Sequence, residues 1–172
     1  MKKKILSILT ILVLVTLLSS NASAGGNVGL GRVVFSQGSL VAEGTFTGLG
    51  GYKQGVTVEL AAIGDPVVSC TNQGGTRAPG QNPAQVSAVG DQFIGPQLIT
   101  KKGTAPLDVT AEAGPITGTQ GGCPNDNWTA QIDFVYWTEA TISVFDVATN
   151  DLLLQRFYDC RTTLTSVTCE EK

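Results

Sequence analysis

The 172-residue chain contains no histidine, and that one absence removes most catalytic options. A Ser-His-Asp or Cys-His hydrolase needs an imidazole to take the proton of its nucleophile. Zinc catalysis normally draws on imidazole ligands too. Carboxylate pairs or a Ser-Lys dyad remain, and neither forms a compact motif. Glu43, Glu59, Asp108, Glu112 and Asp133 fall on the polar positions of strand-like segments, where charge keeps a surface soluble and blunts sheet edges. A glycosidase needs two such acids at one bond, and nothing in the sequence brings two together. No catalytic residue is assigned.

Binding chemistry is better represented. The segment Thr71–Pro83 is polar and rich in Gly and Pro, and longer than most β-connections. A second such segment surrounds Cys123 and leads into Trp128. Together they supply Asn72, Asn82, Asn125, Asp126 and Asn127, whose amides and carboxylate suit sugar hydroxyls. Trp137 falls on the opposite phase of its strand from Trp128, so the pattern places Trp128 in the core and Trp137 outside. There its indole would offer a flat face to a sugar ring. The plainer reading is that Asn and Gly form turns and satisfy loop backbone. Asn125-Asp126-Asn127 offers oxygen ligands for calcium, but one carboxylate is too few for a strong site unless Asp65 or Asp91 converges on it. No metal site and no cofactor are assigned. Asn127-Trp128-Thr129 also matches the glycosylation acceptor pattern.

Cys70, Cys123, Cys160 and Cys169 lack Cys-x-x-Cys metal spacing and read as two disulfides of an exported protein. Four cysteines allow three pairings. Proximity favours Cys160–Cys169, which leaves Cys70–Cys123 and would bring the two Asn-rich loops to one end of the fold. Export itself is read from the N-terminus. Lys2 to Lys4 are followed by the apolar run Ile5–Leu18 and by a small, polar stretch that ends Ala22-Ser23-Ala24. The run is shorter than the roughly 18 residues that span a bilayer. Residues 1–24 are therefore expected to be a cleaved signal peptide. Three of the eleven basic residues leave with it, so eight face fourteen acids and the mature charge is −6. That balance argues against nucleic acid and anionic membranes as partners.

The blocks Cys70-x-Asn-x-Gly-Gly-x-x-Ala-Pro-Gly-Gln-Asn-Pro83 and Gly122-Cys-Pro-Asn-x-Asn-Trp-Thr129 resemble a family of small secreted bacterial β-proteins of uncharacterised function. The Thr-Gly-Leu-Gly segment at Thr47–Gly50 and the alternating strand after Asn-Trp-Thr belong to the same resemblance. It implies a bacterial, extracellular protein and brings no activity with it. The Cys160–Cys169 tail lies outside that pattern.

These residues must be held by strands. Period-two alternation marks Val56–Ala62, Leu107–Ala111 and Trp128–Trp137, with Trp128, Ala130, Ile132, Phe134 and Tyr136 expected inward. Further strands are expected at Leu40–Gly48, Pro66–Cys70, Gln85–Val89, Gln92–Ile99, Ala140–Val147 and Leu152–Asp159. Turns are expected at Gly48–Gly51, Gly64-Asp65-Pro66, Gly90-Asp91, Lys102-Gly103 and Thr149–Asp151. The pattern predicts one all-β domain, an immunoglobulin-like antiparallel sandwich of seven to nine strands, with a small barrel as the rival. Residues 25–37 would be a flexible leader or first edge strand, and 38–172 the sandwich. The expected function is non-enzymatic: binding an extracellular polymer or partner, or a structural role. The alternative is an inhibitor or effector that inserts the disulfide-pinned loop Thr71–Pro83, with Arg77 as its anchor. A carboxylate-based hydrolase ranks third.

Overall fold

A computed structural model describes residues 27–172; the expected signal peptide, 1–24, lies outside the described residues. The fold is antiparallel all-β with the two expected disulfides, and its strands join into one curled sheet. The strands are β1 Gly29–Leu30, β2 Val34–Ser36, β3 Leu40–Thr47, β4 Val56–Thr71, β5 Arg77–Pro79, β6 Val86–Ile94, β7 Ala105–Ala113, β8 Thr129–Asp146, β9 Leu152–Thr162 and β10 Val167–Glu171. Residues 25–37 thus contribute β1 and β2, both paired with β3. Short 3-10 turns occupy Leu49–Gly51 and Pro96–Leu98.

The order β1-β3-β7-β6-β4-β8-β9-β10 forms two layers, with β2 also on β3 and β5 on β4. The layers meet at a short corner, where β6 and β7 pair through Ala88–Ala113 and Val89–Glu112 only. Next to it Gly90 presses on β7: an added Cβ would sit 1.7 Å from the Thr110 carbonyl oxygen. Beyond Gly90 the Gln92 side chain takes over the role of a backbone strand. Its Oε1 accepts from the Asp108 amide at 2.9 Å and its Nε2 donates to the Pro106 carbonyl at 3.3 Å. At the far ends of the curl, the Phe35 ring on β2 meets the Tyr158 ring on β9 edge-on at 5.1 Å. Between the layers lie Leu40, Phe46, Leu60, Ile94, Leu107 and Ile142, almost wholly removed from water.

Two expected turns lie inside long strands. Gly64-Asp65-Pro66 continues β4, which runs unbroken for 16 residues. Gly64 sits at a bulge, where an added Cβ would be 2.6 Å from Val135 Cγ1. Pro66 falls after the β6 ladder ends at Gly64 and before the β5 ladder begins at Ser69. Its missing N–H therefore costs no bond on that side. Gly90-Asp91 likewise continues β6, because glycine there serves the close approach to β7 and not a bend. Gly90→Ala should lower unfolding stability by about 1–3 kcal/mol through overpacking. Gly114→Ala, whose Cβ would meet nothing within 4 Å, should leave a urea unfolding midpoint nearly unchanged.

Candidate functional site

The two Asn-rich loops do meet. Cys70, buried at the end of β4, is bonded to Cys123. The segment after β5 runs beside the Cys123 loop, with the Gln81 amide donating to the Gly122 carbonyl and Ala84 to that of Gln120, both at 2.8 Å. Arg77 lies on β5 against β4, and its Nη2 donates to Ser69 Oγ at 3.1 Å. The Thr71–Pro83 segment is thus partly strand, with its expected anchor turned onto the sheet.

The polar side chains at this end serve the turns that carry them. Asn72 Oδ1 accepts from the Thr76 amide at 2.9 Å, which shapes the β4–β5 hairpin. Asn125 Oδ1 accepts from the Asn127 amide at 3.0 Å. Asp126 Oδ1 accepts from Thr119 Oγ1. Asn82 holds a left-handed backbone, φ 48°, a conformation asparagine tolerates better than most residues. Asn127 is exposed. Among the described residues no three His, Cys, Asp or Glu side chains gather as a metal set.

Trp137 is not at this end and not exposed. It is 1% accessible, packed into the core, with its indole N–H directed to the Gly38 carbonyl at 3.4 Å. The reason is in the β4–β8 ladder. Val67 pairs with Phe134 and Val68 with Ile132, so Asp133 is an extra residue; Ile63 pairs with Glu139 and Gly64 with Trp137, so Thr138 is another. Each bulge moves the following residues to the opposite face. Val135 and Trp137 therefore point in, while Phe134 and Tyr136 are only half-buried and pack on each other. Trp128, expected in the core, is half-buried too.

Strand register also brings acids together that the sequence kept apart. Glu43 stands opposite Asp108, and Glu59 opposite Asp91. Glu112 and Asp133 line one cleft with Trp137, of about 290 Å³. Apart from half-buried Glu59, all these acids are exposed. Such sites lack the apolar enclosure that sets one carboxyl apart as the acid of a pair.

The outer face of the layer β6-β4-β8-β9 presents different chemistry. Register places Phe93, Thr57, Phe145 and Leu152 in one row across it, and Val89, Ala61, Thr141 and Phe157 in another. The rows are about 13 Å apart, four residues along β6, β4 and β8. Between them runs a polar row, Asp91, Glu59, Ser143 and Gln155, in which Ser143 is buried and its hydroxyl accepts from the Gln155 side chain. Phe93 is 57% accessible and Phe157 50%; Val89 and Leu152 are also exposed. At one end of this face, where β4 begins and β6 ends, a groove of about 260 Å³ opens between the two 3-10 turns. Tyr52 forms part of its wall; burial, with the Asp146 carboxylate adding to it, raises the Tyr52 pKa above its ordinary 10.0. Only the register lines these Phe side chains up. No protein-family model, curated protein or solved structure matches the chain.

If the asparagines are turn-formers, Asn72→Ala should destabilise the domain by about 0.5–1.5 kcal/mol, the worth of one hydrogen bond. Denaturant unfolding checks this. The reverse pattern, full stability with lost ligand retention, would restore Asn72 to a binding role.

Proposed function

We propose that the mature chain is an exported, non-enzymatic binding protein that holds an extracellular polymer against the outer face of its β6-β4-β8-β9 layer. The observation that carries this reading is the pair of apolar rows, with Phe93 and Phe157 each at least half exposed on one open face. Contiguous apolar surface rimmed by polar residues is where soluble proteins meet ligands. Aromatic rows alternating with Glu59, Asp91 and Gln155 suit a chain that offers apolar and hydroxylated faces in turn.

Export is part of the proposal. It rests on the tripartite N-terminus, on the resemblance to small secreted bacterial proteins, and on two disulfides, which persist in oxidising surroundings. No helix among the described residues is long and apolar enough to cross a membrane. The general shape, two β layers over one core with binding on a face, is immunoglobulin-like in this reading. Nucleic acid and anionic membranes call for basic residues clustered over an extended surface, and a mature balance of eight bases to fourteen acids makes them poor partners here.

The test is retention of residues 25–172 on insoluble cell-wall polymer and on immobilised culture-supernatant proteins. Phe93→Ser with Phe157→Ser should abolish retention on the polymer while thermal stability stays near that of the parent. Undiminished retention of the double variant, or retention on proteins alone, would contradict the proposal.

A further inference from the structure

The eight basic residues of the mature chain are not distributed evenly in their company. Arg156 is paired with Glu171 at 2.7 Å, and Lys172 with Asp159 at 2.8 Å and Glu139 at 3.6 Å. Arg77 is bonded to Ser69, whose hydroxyl donates to Asp133. Arg161 lines a groove with Asp159, Glu170 and Glu171, and Arg32 lines another with Glu171. The remaining three are Lys53, Lys101 and Lys102. Lys53 and Lys101 line the groove between the two 3-10 turns, together with Gly50, Tyr52, Ile99 and Thr100. Lys102 follows directly, exposed on the turn into β7. No Asp or Glu lines this groove, and among the described residues none of the three lysines has an ion pair. Lys53 Nζ donates only to the Gly50 carbonyl, at 3.4 Å.

Two ammonium groups lining one groove, with a third lysine on the adjoining turn and no acid in the lining, make a local positive potential that attracts anions. Arginine's planar fork pairs bidentately with carboxylate and phosphate alike, and no arginine lines this groove. Lysine is a point charge, and two ammonium groups on separate turns can each take a different oxygen of one tetrahedral phosphate. The groove also adjoins the apolar row that begins at Phe93, since β6 ends at Ile94 and β4 begins at Val56. A ligand lying across both would put an anionic group among the lysines and a less polar unit on the ring.

From this juxtaposition we propose that the Lys53–Lys101 groove, with Lys102 on the adjoining turn, binds the phosphate groups of a phosphate-linked extracellular polymer. The inference rests on the polymer-binding reading above and names its ligand class.

The experiment measures binding of residues 25–172 to inorganic polyphosphate and to polygalacturonate, a polycarboxylate, at low and at high salt. Wild type should bind polyphosphate, more weakly as salt rises, and should prefer it to polygalacturonate. Lys53→Gln with Lys101→Gln should weaken polyphosphate binding about tenfold or more and lower the slope of log affinity against log salt by about two. Arg32→Gln with Lys172→Gln removes the same charge elsewhere and should bind like the parent. Equal losses in the two double variants would reduce the attraction to net charge and overturn the site. So would absence of polyphosphate binding at low salt, and equal affinity for polygalacturonate would overturn the phosphate assignment. Polymer retention that depends on Phe93 and Phe157 while polyphosphate binding is absent would sink this inference and leave the face-binding proposal standing.

Discussion

Everything in this fold is hung on the ladder between β4 and β8. Both strands are long, 16 and 18 residues, and they stay paired from Val56–Asp146 to Thr71–Thr129. The even-numbered residues of β4 are buried along its whole length. β8 keeps company with them only by absorbing one extra residue at Asp133 and another at Thr138. Without those bulges, a period of two would send Trp137 to solvent on a strand otherwise correctly paired. With them, the largest side chain of the core is seated against the β2–β3 turn through Gly38. The two layers are held in register by that contact as well as by the short β6–β7 corner.

The same ladder sets what each end of the molecule can do. At the far end of β4, Cys70 anchors the loop around Cys123, closing a sequence separation of 53; in the chain-entropy view such a bridge contributes about 4 kcal/mol. The Asn72, Asn125 and Asp126 side chains there are bonded within or between the turns that carry them, which braces that end. Cys160 and Cys169 stand directly opposite each other on β9 and β10, tying down the last strand of the curl. The opposite end and the outer face are left with exposed aromatic side chains and uncompensated lysines. In the proposed function the disulfide end is scaffold and the other end is contact surface.

Strand chemistry was legible wherever alternation ran undisturbed, as in Val56–Ala62 and Leu107–Ala111. The cysteine pairing was legible from proximity alone. Glycine and proline misled, because Gly64 and Gly90 answer to neighbouring strands that pack close, and Pro66 to a gap between two ladders. None of those partners can be read from local sequence. A bulge has no residue signature either, so Trp137 lies on the face opposite to expectation, while Trp128, ahead of both bulges, is half-buried. The candidate site was illegible for a related reason. Phe93, Phe157, Lys53 and Lys101 are far apart in the chain, and only register and curl gather them. The Asn-rich loops drew the eye by composition, and in them Asn72 and Asn125 serve the backbone of their own turns.

The seating of Trp137 is the most direct test of this account, and the chain's two tryptophans allow it to be isolated. Trp128→Phe leaves Trp137 as the single indole. Its emission should be blue-shifted in the folded protein and resist quenching by iodide, with both properties lost on unfolding in denaturant. Red-shifted emission, readily quenched in the folded state, would put Trp137 in water and contradict the bulged β4–β8 register on which the rest of the structure depends.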